Sequence, residues 1–241
     1  MTEQEAQIFA TRRAVSHVFV KGSGVEIGAG ARPWPLHDRA KCFYGDRLDI
    51  QGLTNYFKTS EVTVDGPIDA QTLEGVADNS LDFVLSAHVI EHLQDPIGSI
   101  MQSMRVLKIG GIAVLAVPEM TETFDQLRSP TPLAHLLQDA KDGGAATRTL
   151  AYEEHARFVH PYITGDTIPE PEIAERVAQV EAANMDIHFH AWTGDTFLEM
   201  LESIKRRAFS IEAYIPVINE NIFVLRKTPR WAIPFWKPHS M

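Results

Sequence analysis

Short apolar β segments alternate with helical stretches between positions 22 and 120, and this alternation restricts the fold more than any other feature of the chain. Val25-Glu26-Ile27 runs into a glycine turn, and Lys41 to Tyr44 forms a second strand ending at Asp46. A third β segment from Val62 to Ile68 leads to Asp69. Leu81 to Ser86 is an apolar fourth strand after the turn signal Asp78-Asn79-Ser80, and Ile112 to Val117 is a fully apolar fifth. Between the last two, Pro96 to Leu107 carries Ile97, Ile100, Met101, Met104 and Leu107 at helical offsets and stops at Gly110-Gly111. Parallel strands need crossover helices and bury both faces, so the pattern predicts a doubly wound, mostly parallel sheet. Ligands on such sheets bind beyond the carboxyl ends of the strands.

The flanking segments complete a single domain of 241 residues. Ile8, Phe9, Ala14, Val15, Val18 and Phe19 predict a leading helix within residues 1–22. After the cofactor-binding core of residues 22–120, Pro, Gly and polar clusters break the alternation, and residues 120–190 read as a helical and loop cap inserted after strand five. In residues 191–227 a helix from Gly194 to about Arg207 precedes β segments Ser210 to Val217 and Asn221 to Arg226. Their short connection implies an antiparallel hairpin. The predicted fold is therefore α/β, a seven-stranded sheet closed by an antiparallel C-terminal hairpin. Residues 228–241, with Trp231, Phe235 and Trp236 among prolines, read as an arm that packs on its own domain or on a second copy, in preference to an interfacial membrane contact.

Composition narrows the partners. A net charge of -10 disfavours a polyphosphate backbone, and Lys205-Arg206-Arg207 reads as cations complementing a helix end, so no nucleic-acid partner is expected. No run approaches the roughly 20 apolar residues of a membrane-spanning helix, and Glu3, Glu5, Arg12 and Arg13 interrupt any secretory stretch, so the expected location is cytoplasmic. A lone Cys42 forbids an internal disulfide.

The chemistry concentrates at the strand ends. In Val25-Glu26-Ile27-Gly28-Ala29-Gly30 the missing side chains allow a sharp turn and close backbone approach to a ligand. A dinucleotide fingerprint wants a third glycine where Pro33 stands, which argues against NAD and FAD, and no P-loop pattern is present. Asp46 is placed to accept both ribose hydroxyls of a nucleoside, and Asp69-Ala70 to read adenine. Either aspartate alone reads equally as a turn residue; with the glycine turn, the pair reads as ligands.

Over residues 22 to 120 the chain resembles the class I S-adenosylmethionine-dependent methyltransferases of the small-molecule type. Val25 to Gly30 looks like the family's first motif, Asp46 like its second-strand acid and Asp69 to Leu73 like the adenine segment. Asp82 to Leu93 is similar to its fourth-strand motif, and Arg105 to Gly111 to the turn before strand five. The resemblance implies S-adenosylmethionine as cofactor, contacted by Glu26, Gly28, Ala29, Gly30, Arg32, Asp46, Asp69, Ala70, Ser86 and His88. Pro33 and Pro35 depart from the family pattern by delaying the following helix, which leaves Arg32 to face the cofactor's carboxylate.

The implied reaction is in-line attack on a sulfonium methyl, driven mainly by positioning and helped by a base when the nucleophile is a hydroxyl. His88 and Glu119, near the ends of strands four and five, are the candidate catalytic residues. Asp125, His135, His155, His160, His188 and His190 are further candidates in the cap. With ten histidines in the chain and one base needed, most are expected to be structural, and Glu91 and His92 read as supports for the motif. His188-x-His190 with His155 or Asp125 has the donor types of a metal site, yet polar alternation on a strand explains the pair, and no metal is expected. The expected function is methyl transfer to an oxygen of a small molecule or glycan; the alternative is a catalytically silent binding protein on the same fold. The cap either shapes the acceptor pocket or joins two chains as a homodimer.

Overall fold

The computed structural model describes residues 2–206 and 208–229, so the expected arm around Trp231 to Pro238 lies outside the described residues. Helix α1 (Glu3–Phe19) opens the chain, with Thr2 and Glu5 forming a capping box. Strands β1 (Gly22–Ile27), β2 (Ala40–Asp46), β3 (Gly66–Pro67), β4 (Leu81–Ala87) and β5 (Leu107–Pro118) follow, with α2 (Ile50–Phe57) after β2 and α3 (Pro96–Val106) after β4. The cap contains α4 (Leu133–Asp142), α5 (Arg148–Glu154), α6 (His160–Thr164) and α7 (Ile173–Ala182). Helix α8 (Gly194–Ile204), β6 (Phe209–Val217) and β7 (Glu220–Lys227) close the domain. The sheet order is β3-β2-β1-β4-β5-β7-β6, with β7 antiparallel to both neighbours. Six strands thus share one direction, as the alternation predicts.

Side chains of the central strands alternate between two cores. Val25, Ile27, Val84, Ala113, Leu115 and Phe223 face α3 and α8. Phe83, Leu85, Ile112, Val114 and Val224 face the side covered by α1 and Trp34. Strands buried on both faces carry no polar face, which is why they read as continuous apolar runs. Three expectations shift. The third β segment shrinks to a two-residue pairing of Gly45 with Gly66 and Asp46 with Pro67. Strand β5 begins at Leu107, directly at the end of α3. The segment holding His188 and His190 is no strand, and its residues belong to the loop between α7 and α8.

The cap has a small core of its own, built from Tyr152, Ala156, Val177, Val180, Ile187 and Phe189. Its polar centre is Arg128, whose guanidinium donates to Asp125 Oδ1 at 2.9 Å, Glu154 Oε2 at 2.8 Å and the carbonyls of His188 and Phe189. Every donor so engaged escapes the cost of a buried unpaired charge.

Candidate active site

Strand β1 ends at Ile27, and the next residues turn under glycine control. Gly28 has φ +70°, and a Cβ there would stand 2.4 Å from Val89 Cγ2; at Gly30, φ +53°, it would meet the Phe57 ring at 2.5 Å. Neither position accepts a side chain without displacing a neighbour. No helix follows the turn. The chain instead runs irregularly to β2, with Trp34 buried and its N–H donating to Glu26 Oε1 and Oε2 at 2.9 and 3.0 Å. Burial pushes the Glu26 carboxyl up to about 7, against the opposing pull of the Trp34 N–H and Arg12.

Beyond the carboxyl ends of the strands lies a cavity of about 1220 Å³. Gly28, Ala29 and Arg32 from the turn, Asp46, Asp69 and Ala70 from the second and third strand ends, and His88 from β4 all line it. Asp46 accepts the Leu48 N–H at 3.0 Å, and Asp69 accepts those of Gln71 and Thr72 at 2.7 and 3.0 Å, so each carboxylate is oriented by its own loop. Arg32 is exposed and paired with Glu5 at 2.7 Å across the mouth.

Four expected site residues lie off the cavity lining. Glu26 sits beneath the turn and fixes Trp34. Gly30 packs on Phe57, and Ser86 is buried within the sheet between Ile27 and Leu115. Glu119 accepts from Gly194 N and Asn221 Nδ2, both at 2.9 Å, and so ties the end of β5 to the start of α8.

His88 follows β4 with φ +54°, a left-handed conformation that is uncommon for a residue with a Cβ and worth noting at a site. Its Nε2 lies 2.9 Å from Glu220 Oε2, and Glu220 is paired in turn with Arg12 of α1, which lies over the Trp34 ring at 5.1 Å. These two partners hold the Glu220 carboxyl down to about 2 despite its burial. Arg12, Glu220 and Asn219 line the cavity and carry no local sequence signal; they reach it from opposite ends of the chain.

Across the opposite side of the cavity the cap touches the core through Asp186. Its Oδ2 accepts from Arg47 at 2.8 Å and from the Tyr56 hydroxyl at 3.1 Å, while its Oδ1 lies 3.0 Å from His92 Nδ1. This joins the cap to the loop after β2, to α2 and to the turn after β4. The remaining cap candidates, Asp125, His135, His155, His160, His188 and His190, lie off the cavity. Burial, with Arg128 nearby, lowers the His155 imidazole to about 4. His188 and His190 do not share one site: His188 Nδ1 lies 2.6 Å from Asp125 Oδ2, and His190 Nε2 lies 2.8 Å from Asp139 Oδ2. Without strand pairing to align them, the two imidazoles point to different carboxylates.

Residues 55–115 match the family model described as a methyltransferase domain, a segment running from α2 through β4 and His88 into β5. No curated protein has a matching sequence. Among solved structures, a SAM-dependent methyltransferase from Aquifex aeolicus is 12% identical, with a TM-score of 0.51 and 94% of each chain covered. A candidate methyltransferase from Bacillus halodurans C-125 is 13% identical, with a TM-score of 0.50, covering 92% of this chain and 99% of that one. A candidate zinc-dependent alcohol dehydrogenase from Rhodobacter sphaeroides is 13% identical, with a TM-score of 0.55, covering 95% and 91%. Likeness at such identities describes the sheet. The antiparallel β7 between β5 and β6 distinguishes this sheet from the dinucleotide-binding order 3-2-1-4-5-6. The chain shares the fold of these structures, and its residues 55–115 are similar to a methyltransferase domain. Among the described residues no helix is long and apolar enough to cross a membrane.

Proposed function

We propose that this protein transfers the methyl group of S-adenosylmethionine to a hydroxyl oxygen of a small molecule or glycan. The cavity carries this reading. At about 1220 Å³ it exceeds the roughly 300–1,000 Å³ usual for one small ligand, and it continues from the cofactor turn to a second wall made by Ile8, Phe9 and Arg12 of α1, Pro33 and Pro35. The glycine turn, Asp46 and Asp69 form the nucleoside half; the mixed apolar and polar half beyond His88 is the acceptor half.

In that arrangement the backbone around Gly28 approaches the cofactor's methionine end, Asp46 accepts from the ribose hydroxyls, and Asp69 with Ala70 frames the adenine. The cofactor supplies an electrophilic methyl on sulfur. Glu220 holds His88 by Nε2 and favours the Nε2–H tautomer, which leaves Nδ1 as the basic nitrogen; His88 is proposed as the group that takes the hydroxyl proton. Glu119, tied to α8, has a positioning role. Calorimetry with S-adenosylhomocysteine, followed by cofactor turnover against pooled hydroxylated acceptors, tests the proposal. Binding with turnover on a hydroxylated acceptor supports it, whereas binding with no turnover on any acceptor points to the silent binding protein instead.

A further inference from the structure

Glu91 is fully buried in the 3₁₀ turn Ile90–His92 after β4, and neither carboxylate oxygen accepts a hydrogen bond from any described group. A buried carboxylate left without partners is costly, so its surroundings should contain what compensates it. Those surroundings are imidazoles. His188 Nε2 lies 4.0 Å from Glu91 Oε1, and His88 Nδ1 lies 3.8 Å from the same oxygen. One donor atom from each of Glu91, His92 and His188 lies within 4.8 Å of the other two.

The outer contacts determine what those imidazoles offer. His188 Nδ1 is held by Asp125 at 2.6 Å, and His92 Nδ1 by Asp186 at 3.0 Å. A carboxylate on Nδ1 favours the Nδ1–H tautomer and leaves Nε2 with its lone pair, the arrangement that orients histidines on metals. With both imidazoles neutral, electron-pair donors therefore converge, and neither ring offers the carboxylate a proton. A cation resolves this conflict. Ligands at roughly 2.0–2.2 Å from a common ion stand at most about 4.4 Å apart, and the Glu91 to His188 spacing already falls within that span.

We propose that Glu91, His92 and His188 bind a divalent transition-metal ion beneath the wall of the cofactor cavity. Two imidazoles and one carboxylate suit zinc, cobalt, manganese or ferrous iron, and disfavour magnesium and calcium, which take oxygen ligands. The ion joins the turn after β4 to the loop between α7 and α8, and so fastens the cap beside His88. This departs from the sequence-based expectation of no metal, and it stands independently of the methyl acceptor. A second cluster, His135, Asp139 and His190, has the same residue types and a different electrostatic condition. The Asp139 carboxylate already meets His190, His135 and the Thr147 hydroxyl, so it has no unpaired charge for an ion to satisfy.

Titration of the chelator-stripped, dialysed full chain with Zn²⁺ by calorimetry, and with Co²⁺ by visible absorption, tests the site. One equivalent per chain is expected, with ligand-field bands for cobalt. Glu91→Gln, nearly isosteric, and His188→Ala should each weaken binding at least 100-fold, while Asp139→Asn should bind like the unaltered protein. A wild-type chain that binds neither ion stoichiometrically overturns the proposal without reference to any variant. Binding that survives in Glu91→Gln, or that disappears in Asp139→Asn alone, overturns it as well.

Discussion

His88 Nε2 and Glu220 Oε2 meet at 2.9 Å across 132 positions of chain, and this contact places an imidazole from β4 and a carboxylate from β7 on one cavity wall. If His88 removes the acceptor proton, His88→Ala should leave cofactor affinity close to that of the unaltered protein and lower turnover by about 10²- to 10⁴-fold. Turnover measured under saturating cofactor checks this. An unchanged rate would place the base elsewhere.

Asp46 lines the cavity with a carboxylate already oriented by the Leu48 N–H. Asp46→Ala should cost about 1.5 to 3 kcal/mol of affinity through lost charge-assisted hydrogen bonds to ribose. Calorimetry with S-adenosylhomocysteine reads the difference directly, and equal affinities would contradict the assignment.

The pH dependence of stability should report on Glu26. Its carboxyl is raised from 4.5 to about 7, chiefly by burial, with Arg12 opposing and Cys42 as a neighbouring titratable group. The folded state therefore keeps the proton at pH values where the unfolded chain has lost it. This contribution is fully present below about 4.5 and disappears as pH rises through about 7. Glu26→Gln cannot ionise and still offers Trp34 an acceptor, so it should remove this component of the slope. Urea midpoints at pH 5 and pH 8 for both proteins check it, and identical slopes would show that Glu26 does not titrate in this window.

Arg128 and Asp125 are both buried and paired at 2.9 Å in the cap. Arg128→Met leaves Asp125 buried beside fewer donors and should destabilise the chain by about 3 to 5 kcal/mol. Limited proteolysis should then cut first within residues 120–190. A denaturation midpoint like that of the unaltered protein would refute the role given to this pair.

Legibility in the sequence followed the range of the interaction. Apolar runs, glycine turns and the prolines at positions 33 and 35 act over a few residues, and they announce the parallel strands and the closing hairpin; the prolines signal only a delayed helix after Gly30, where the structure has none before β2. The same local chemistry located Gly28, Asp46, Asp69 and His88, because strand ends converge wherever a parallel sheet is wound. Glu119 shows the limit: its position in the sequence suggests a base, while its contacts with Gly194 and Asn221 make it a tie between β5 and α8.

The sequence by itself determined a doubly wound sheet with a glycine turn at Gly28, since period and turn chemistry are properties of neighbouring residues. Only the tertiary structure decided that Arg12 pairs with Glu220, that Glu26 holds Trp34, and that His188 and His190 turn to different carboxylates. Those choices depend on which groups burial removes from water and which partner packing then brings within reach.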